Sequence, residues 1–275
     1  MRITIVVDNT ADAGSALATE HGFSLWIETA GLRILFDTGQ GSALVPNAAA
    51  LGVDLGATEH LVLSHGHYDH TGAVPAALAA APGAHVWAHP AVHLERYSVR
   101  DGAAEPIHPP RPVIRLLDSL PRDRMHWVTA PCLLAPGCGI SGPVPRVTAF
   151  EDVGGPYFLD TPGRRPDPID DDLALWFATP SGLVICCGCA HAGVVNTLGH
   201  IAKTSGITRV HALIGGFHLV HADATRIGRT LDALRKYAPD LIVPCHCTGS
   251  AAMDALQSAF GTRMIAGGAG HTFTF

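Results

Sequence analysis

The sequence is poor in charge. Acidic and basic residues together make up 15% of it, and no run of lysine or arginine occurs anywhere along the chain. A surface that grips nucleic acid needs a basic patch or stripe. The balance here is the opposite, with 24 acids against 18 bases and a formal net charge of −6. The same shortage disfavours electrostatic docking on an anionic membrane. No apolar stretch reaches the ~20 residues that a membrane-spanning helix needs. The opening Met1-Arg-Ile-Thr-Ile-Val-Val-Asp8 is apolar for too short a distance to read as a secretory leader before an acid interrupts it. The expectation is a cytoplasmic protein that acts on a small molecule, with no nucleic-acid or membrane partner and a homodimer among the open assembly states.

A disulfide framework is also lacking. The seven cysteines (Cys132, Cys138, Cys186, Cys187, Cys189, Cys245 and Cys247) are odd in number and clustered, which favours reduced thiols without a secretory leader. No paired CxxC knuckles occur, so a structural zinc finger is excluded. What is abundant is apolar residue, 47% of the chain, enough for a sizeable core. Glycine (30) and proline (20) imply many turns and ordered loops, and histidine, at 17, is the outlying count.

The hydrophobic pattern predicts a strand over residues 1–8 and a hairpin of Phe23–Glu28 with Leu32–Phe36, joined across Thr29-Ala30-Gly31. A helix follows over 41–52, with Leu44, Ala48 and Leu51 on one face. Then come a short buried strand at 61–63, an Ala-rich helix over 73–81 and a strand at 85–88. Regular structure resumes with a hairpin of 173–178 and 183–187. It continues with a helix over 193–204, a strand at 209–214, a helix over 224–237, a strand at 241–243, a helix over 251–260 and a closing strand at 272–275. Between the two halves, about 100–170, proline is dense and the hydrophobic period weak. That stretch reads as a loop insertion of irregular hairpins roofing a site. A single α/β domain over 1–275 is expected, with two mixed sheets packed face to face and helices outside.

One segment carries chemistry. Ser64-His65-Gly66-His67-Tyr68-Asp69-His70 places four potential ligands within six residues, in a Gly-containing loop between an apolar strand and a helix. In such a loop His65 and His67 can converge on one metal while Asp69 and His70 turn toward a second. Imidazole suits zinc, iron and similar borderline ions, and a carboxylate adds a harder ligand. Two adjacent metals can share a hydroxide whose pKa lies far below that of bulk water, and that hydroxide is a nucleophile at neutral pH. A merely His-rich surface loop would have polar flanks, whereas Leu63-Ser64 and Thr71-Gly72 belong to a strand–loop–helix context.

The string Leu63-Ser-His-Gly-His-Tyr-Asp-His-Thr-Gly72, with Phe36-Asp-Thr-Gly39 upstream, resembles the signature of the metallo-β-lactamase-fold hydrolases. Within that superfamily the chain is similar to a branch marked by five segments. These are His21-Gly-Phe-Ser-Leu25, the histidine motif, Gly188-Cys-Ala-His191, Gly215-Gly-Phe-His-Leu219 and Pro244-Cys-His-Cys-Thr-Gly249. The branch includes an archaeal enzyme that joins a dihydropterin to a ribofuranosyl-aminobenzene phosphate. The resemblance spans nearly the whole chain and implies the four-layer αββα sandwich. It implies a centre of two divalent ions, zinc foremost and manganese or iron as alternatives, held by His65, His67, Asp69, His70, His191 and His246. Where the superfamily often places a bridging Asp, this chain has Gly188-Cys189, so Cys189 is a possible thiolate ligand, with inert packing as the alternative. Asp37 is expected to orient a metal histidine or to cap its turn.

Asp69 and His218 are the candidate catalytic groups. His218, behind two glycines, is expected to contact substrate or donate a proton, with a structural part as the alternative. Cys245 and Cys247 are expected to pack. Asp170, Asp171 and Asp172 read as a loop or strand cap, and Tyr68 and Asn9 as cleft-lining residues. The leading functional reading is a metal-dependent hydrolase of a phosphoester-type small molecule. Its alternatives are a synthase of the pterin-joining kind, a hydrolase of carbonyl esters, lactones or β-lactams, a mononuclear iron oxygenase, and a non-catalytic metal binder. His67 stands where oxygen-reducing di-iron relatives typically carry Glu, which disfavours that chemistry.

Overall fold

A computed structural model describes residues 1–29 and 31–275, so Ala30 of the predicted Thr29–Gly31 turn lies outside the described residues. The chain divides into two compact units. One comprises Met1–Trp127, Tyr157–Asp167 and Gly268–Phe275; the other comprises Val128–Pro156 and Pro168–Gly267.

The first unit carries a seven-stranded sheet in the order Thr272–Thr274, Arg2–Val7, Ser24–Thr29, Leu32–Phe36, His60–Val62, His85–Ala88 and Met125–Trp127. The strands are antiparallel as far as Leu32–Phe36 and parallel beyond it. Strand registers line up Thr4, Trp26, Leu35, Leu61, Val86 and Met125 in one row across the sheet. Period-two alternation puts that row on one face. Trp26, Leu35, Leu61, Val86 and Met125 pack against Leu44 and Ala48 of the helix Leu44–Leu51, Val74, Ala77 and Leu78 of Val74–Ala80, and Val113 and Leu117 of Arg111–Ser119. Ile3, Ile5, Leu25, Ile27, Ile34 and Phe36, of the other parity, are also fully buried. Each such side chain stabilises the fold by roughly 1.5–3 kcal/mol relative to exposure.

The second unit carries a six-stranded sheet in the order Leu241–Cys245, Val210–Gly216, Gly182–Cys187, Ala174–Thr179, Cys138–Ile140 and Cys132–Ala135, the first three parallel. Trp176, Ile185, Leu213 and Ile242 form its equivalent row and pack against Leu198, Ile201, Leu234 and Leu256 of the helices Val194–Ser205, Ala224–Tyr237 and Ser250–Phe260. The long helix Ala224–Tyr237 starts on Asp223, whose side chain accepts the Arg226 N–H.

The expected α/β class with mixed sheets is the observed one. The stretch 100–170, read as irregular hairpins and loops, does hold a hairpin, Cys132–Ala135 with Cys138–Ile140, but carries more regular structure than that reading expected. It contains the nine-residue helix Arg111–Ser119 and strands of both sheets: the edge strand Met125–Trp127 in one, and Cys138–Ile140 with the edge strand Cys132–Ala135 in the other. Tyr157–Phe158 joins Tyr97–Arg100 and Ala103–Pro106 in a three-stranded sheet. The stretch is therefore shared between the two units. Val113, Ile114, Leu116, Leu117 and Leu120 recur there at helical spacing, a signal masked by the surrounding prolines, although Pro112 in a first turn is compatible with a helix. Among the described residues no helix is long and apolar enough to cross a membrane.

Candidate metal centre

In both units the candidate groups follow the C-terminal ends of parallel strands, where α/β sheets place their ligand-binding loops. Asp37 follows Leu32–Phe36 and the His65 loop follows His60–Val62. Cys189 and His191 follow Gly182–Cys187, His218 follows Val210–Gly216, and His246 follows Leu241–Cys245.

In the first unit, the loop turns sharply into the one-turn helix Tyr68–Thr71 and brings His65, His67 and His70 together, with ring centroids 4.4 Å apart for His65 and His67 and 4.2 Å for His65 and His70. Close approach requires Gly66: a Cβ there would lie 2.6 Å from the Val92 carbonyl oxygen and 3.0 Å from the Arg96 guanidinium. Arg96 is itself buried and paired with Asp167 at 2.9 Å, so it has little room to give. His65 Nε2 faces His67 Nδ1 at 3.0 Å. Two ring nitrogens that close share either a proton or a cation, and two imidazoles on one tetrahedral zinc hold their nitrogens about 3.3 Å apart.

Asp37 is fully buried and in the left-handed region at φ 61°, a conformation that short polar side chains tolerate best. It accepts the Ser64 N–H at 2.7 Å, the Ser64 hydroxyl at 2.6 Å and His70 Nδ1 at 2.7 Å. That leaves His70 Nε2 turned to Asp69, 3.4 Å away. Burial opposes a charge on His70, but Asp69 and Asp37 outweigh it and raise its pKa to about 10. The two carboxylates thus create a negative potential that selects a positive charge at His70. His21, which the motif reading quoted without a part, lies 3.3 Å from Asp69. Asn9, expected to line a cleft, sits beside His21 at 3.4 Å. Tyr157, in the segment taken for loop, stands 5.4 Å from the His67 ring, and no sequence signal marked it.

In the second unit, His191 is fully buried and its Nδ1 lies 2.8 Å from the Val153 carbonyl. A carbonyl only accepts, so Nδ1 carries the proton and Nε2 presents its lone pair. The His191 carbonyl takes Arg146 Nη1 at 2.5 Å, and the next N–H, Ala192, goes to Asp172 at 2.7 Å. Asp172, read as a cap, is in fact buried, and burial pushes its carboxyl up to about 7. The His218 ring lies 4.2 Å from that of His191. Ala190, His218 and His246 all have positive φ, at 51°, 44° and 51°. Such backbone in non-glycine residues concentrates at functional sites.

Cys189 and Cys247 meet at 3.4 Å between sulfurs. Burial opposes the Cys247 thiolate, but contacts from Cys189, His218 and His246 hold its pKa well below the usual thiol value. Cys187, two residues from Cys189, is pushed well above it by burial.

The structure thus gathers His65, His67, Asp69 and His70, with Asp37 and His21, in the first unit, and Cys189, His191, His218, His246 and Cys247 in the second. Imidazoles backed by a carboxylate and a carbonyl, with further carboxylate and thiol donors, fit borderline divalent ions such as zinc.

Residues 18–246 match the model of the metallo-beta-lactamase superfamily, and the chain belongs to that family. Its fold is the metallo-β-lactamase fold, one that serves enzymes. Among curated proteins it is 30% identical, over 94% of this chain and 92% of the relative, to 7,8-dihydropterin-6-methyl-4-(beta-D-ribofuranosyl)-aminobenzene-5'-phosphate synthase of Methanocaldococcus jannaschii. It is 32% identical to an uncharacterised protein of the same organism, over 93% of each chain. Among solved structures it is similar to Tm1679, a metal-dependent hydrolase of the beta-lactamase superfamily. The TM-score is 0.82 and the identity 27%, covering 100% of this chain and 99% of that one.

Proposed function

We propose that the protein is a metal-dependent hydrolase of a small phosphoester. In this reading His65, His67, Asp69, His70, His191 and His246 hold two divalent cations, zinc foremost. The observation that carries the reading is the His70–Asp37 pair, a buried ligand-type imidazole held by a carboxylate in a field that favours a cation. Cations bound there would supply Lewis acidity and bring the pKa of a water toward neutrality. Asp37 fixes the His70 tautomer and ring angle through Nδ1, and the Val153 carbonyl does the same for His191. Asp69 is the group placed to orient the attacking water and to take up its proton. The preference for phosphorus rests on two considerations: a metal pair clamps in-line displacement at a phosphoryl group well, and the 30%-identical synthase handles a phosphorylated compound by its name.

That relative also supports a second reading, transfer in place of hydrolysis, in which the metals would hold a departing pyrophosphate. One experiment tests both. The purified protein is assayed on phosphoesters, lactones, thioesters, β-lactams and a pterin diphosphate with an aryl-amine acceptor, with and without zinc or manganese. Metal-dependent phosphate release is the expected result. Turnover of carbonyl substrates alone would defeat the phosphoester preference, and a joined pterin product without hydrolysis would defeat the hydrolase reading.

A further inference from the structure

We propose that Cys189, Cys247 and His218 form a thiolate-rich seat for one thiophilic cation of the zinc class. The inference rests on the reading that this protein holds metal, and it pairs Cys189, so far a possible ligand by resemblance, with Cys247, which was expected to pack. It also moves His218 from the proton-donating part expected of it to that of a ligand.

The three side chains are buried, and one ligand atom from each lies within 4.8 Å of the others. They come from separate loops, at the ends of three adjacent parallel strands. A left-handed residue accompanies each: Ala190 follows Cys189, His246 precedes Cys247, and His218 is one itself. Gly216 makes the space. A Cβ at that position would lie 2.6 Å from Cys247 Sγ, 2.5 Å from the Gly188 carbonyl oxygen and 3.3 Å from Cys189 Cα. Any side chain there would displace Cys247 Sγ and press on the backbone of Gly188 and Cys189.

The sulfur separation distinguishes what the pair is built for. Two thiolates each about 2.3 Å from a tetrahedral zinc sit about 3.8 Å apart, whereas a disulfide brings sulfurs to about 2.05 Å. The observed 3.4 Å lies a few tenths of an ångström from the first and well over an ångström from the second. A simple S–H···S contact also fits that distance, and it is the competing explanation. The donor set then decides the chemistry. Two sulfurs and an imidazole favour zinc and softer ions over magnesium or manganese, and a tetrahedral ion so held keeps one position open. A bound divalent ion takes both sulfurs as thiolates, so any thiol proton still present leaves as the ion binds. The other cysteines do not share this arrangement. Cys186 is fully buried in the strand Gly182–Cys187, and burial alone nearly accounts for its raised pKa.

The test is an anaerobic titration of the metal-free full chain with cobalt(II), under a reductant that carries no thiol. A strong thiolate-to-cobalt charge-transfer absorption is expected in the near ultraviolet. Cys189→Ser and Cys247→Ser should each remove about half of it, the double variant all of it, and Cys186→Ser none. Cobalt bound without that absorption, or an absorption that Cys247→Ser leaves unchanged, would overturn the proposal. Should a serine variant fail to fold, His67→Ala protein loaded with one equivalent of zinc decides by X-ray absorption. Two sulfurs at about 2.3 Å are expected there, and one or none refutes the seat. His67→Ala also separates the two readings. The hydrolase reading fails if metal-dependent turnover survives that variant, whatever its effect on the sulfur signal.

Discussion

The two units place their reactive groups on the same architectural element and arm them differently. In the first, the groups stand within six consecutive residues and are backed by carboxylates: Asp37 under His70, Asp69 beside it. In the second they are spread from Cys189 to His246 and Cys247 and are backed by a carbonyl, with sulfur as neighbour. A carboxylate supplies charge as well as orientation, so the first set has a field that selects cations before any ligand bond forms. The second orients its imidazole through a neutral carbonyl, and its distinguishing donors are the sulfurs of Cys189 and Cys247, which favour softer ions. The parallel strand end is a generic place to put a ligand, while what lies behind the ligand determines its chemistry.

The largest expected effect tests the first unit's set directly. His67→Ala should abolish metal-dependent turnover, measured with saturating zinc. Survival of more than a few per cent of the activity would show that the contiguous loop is not the working half. Next in size is the core beneath each set. Leu61→Ala and Leu213→Ala, on the central rows of the two sheets, should each cost about 2–5 kcal/mol in urea unfolding. A markedly smaller loss in one would mean that its loops rest on a softer platform.

The supports themselves come third. Asp37→Asn keeps an acceptor but removes the charge beneath His70, and should weaken metal binding by about 10–100-fold. Asp172→Asn acts on His191 through backbone N–H groups, its own and that of Ala192, and not through its ring, so it should change affinity by no more than a few-fold. Equal losses in competitive chelator titrations would erase the distinction between charged and neutral backing.

The smallest effect lies at the opposite ends of the first unit's strands. His60, His85 and His126 adjoin there around Trp87, with Glu59 and Asp123 as the facing acids. Burial and mutual repulsion lower the pKa of His60 and His126 below the ordinary 6.5. The unfolded chain therefore takes up protons first, and stability present above about pH 6.5 is lost as pH falls through the lowered folded values. Denaturation midpoints should drop on acidification from pH 7.5 to 5.5. His126→Gln should flatten the drop without touching metal affinity.

The same contrast explains what the sequence made legible. Strand–helix order and the central hydrophobic rows were readable because Leu35, Leu61 and Val86, or Ile185, Leu213 and Ile242, recur with the period of their elements. The His65–His70 loop was readable because its ligands are contiguous. His21 meets Asp69, and Tyr157 meets His67, only through tertiary structure; the His21–Leu25 segment names no partner for its histidine, and Tyr157 carries no local signature. Cys247 reads as packing because its partner Cys189 lies 58 positions away, in the loop after another strand. Asp172 looked like a cap because burial, which changes its character, is not written in a run of three acids.

The left-handed backbone around the second set has a consequence for engineering. A non-glycine residue held there costs about 1–2 kcal/mol, which folding must offset elsewhere. His218 and His246 bear that cost together with functional side chains, but Ala190 carries only a methyl group. Ala190→Gly should therefore raise the melting temperature while leaving every donor in place. A directed-evolution campaign could draw on that thermal headroom before altering any ligand.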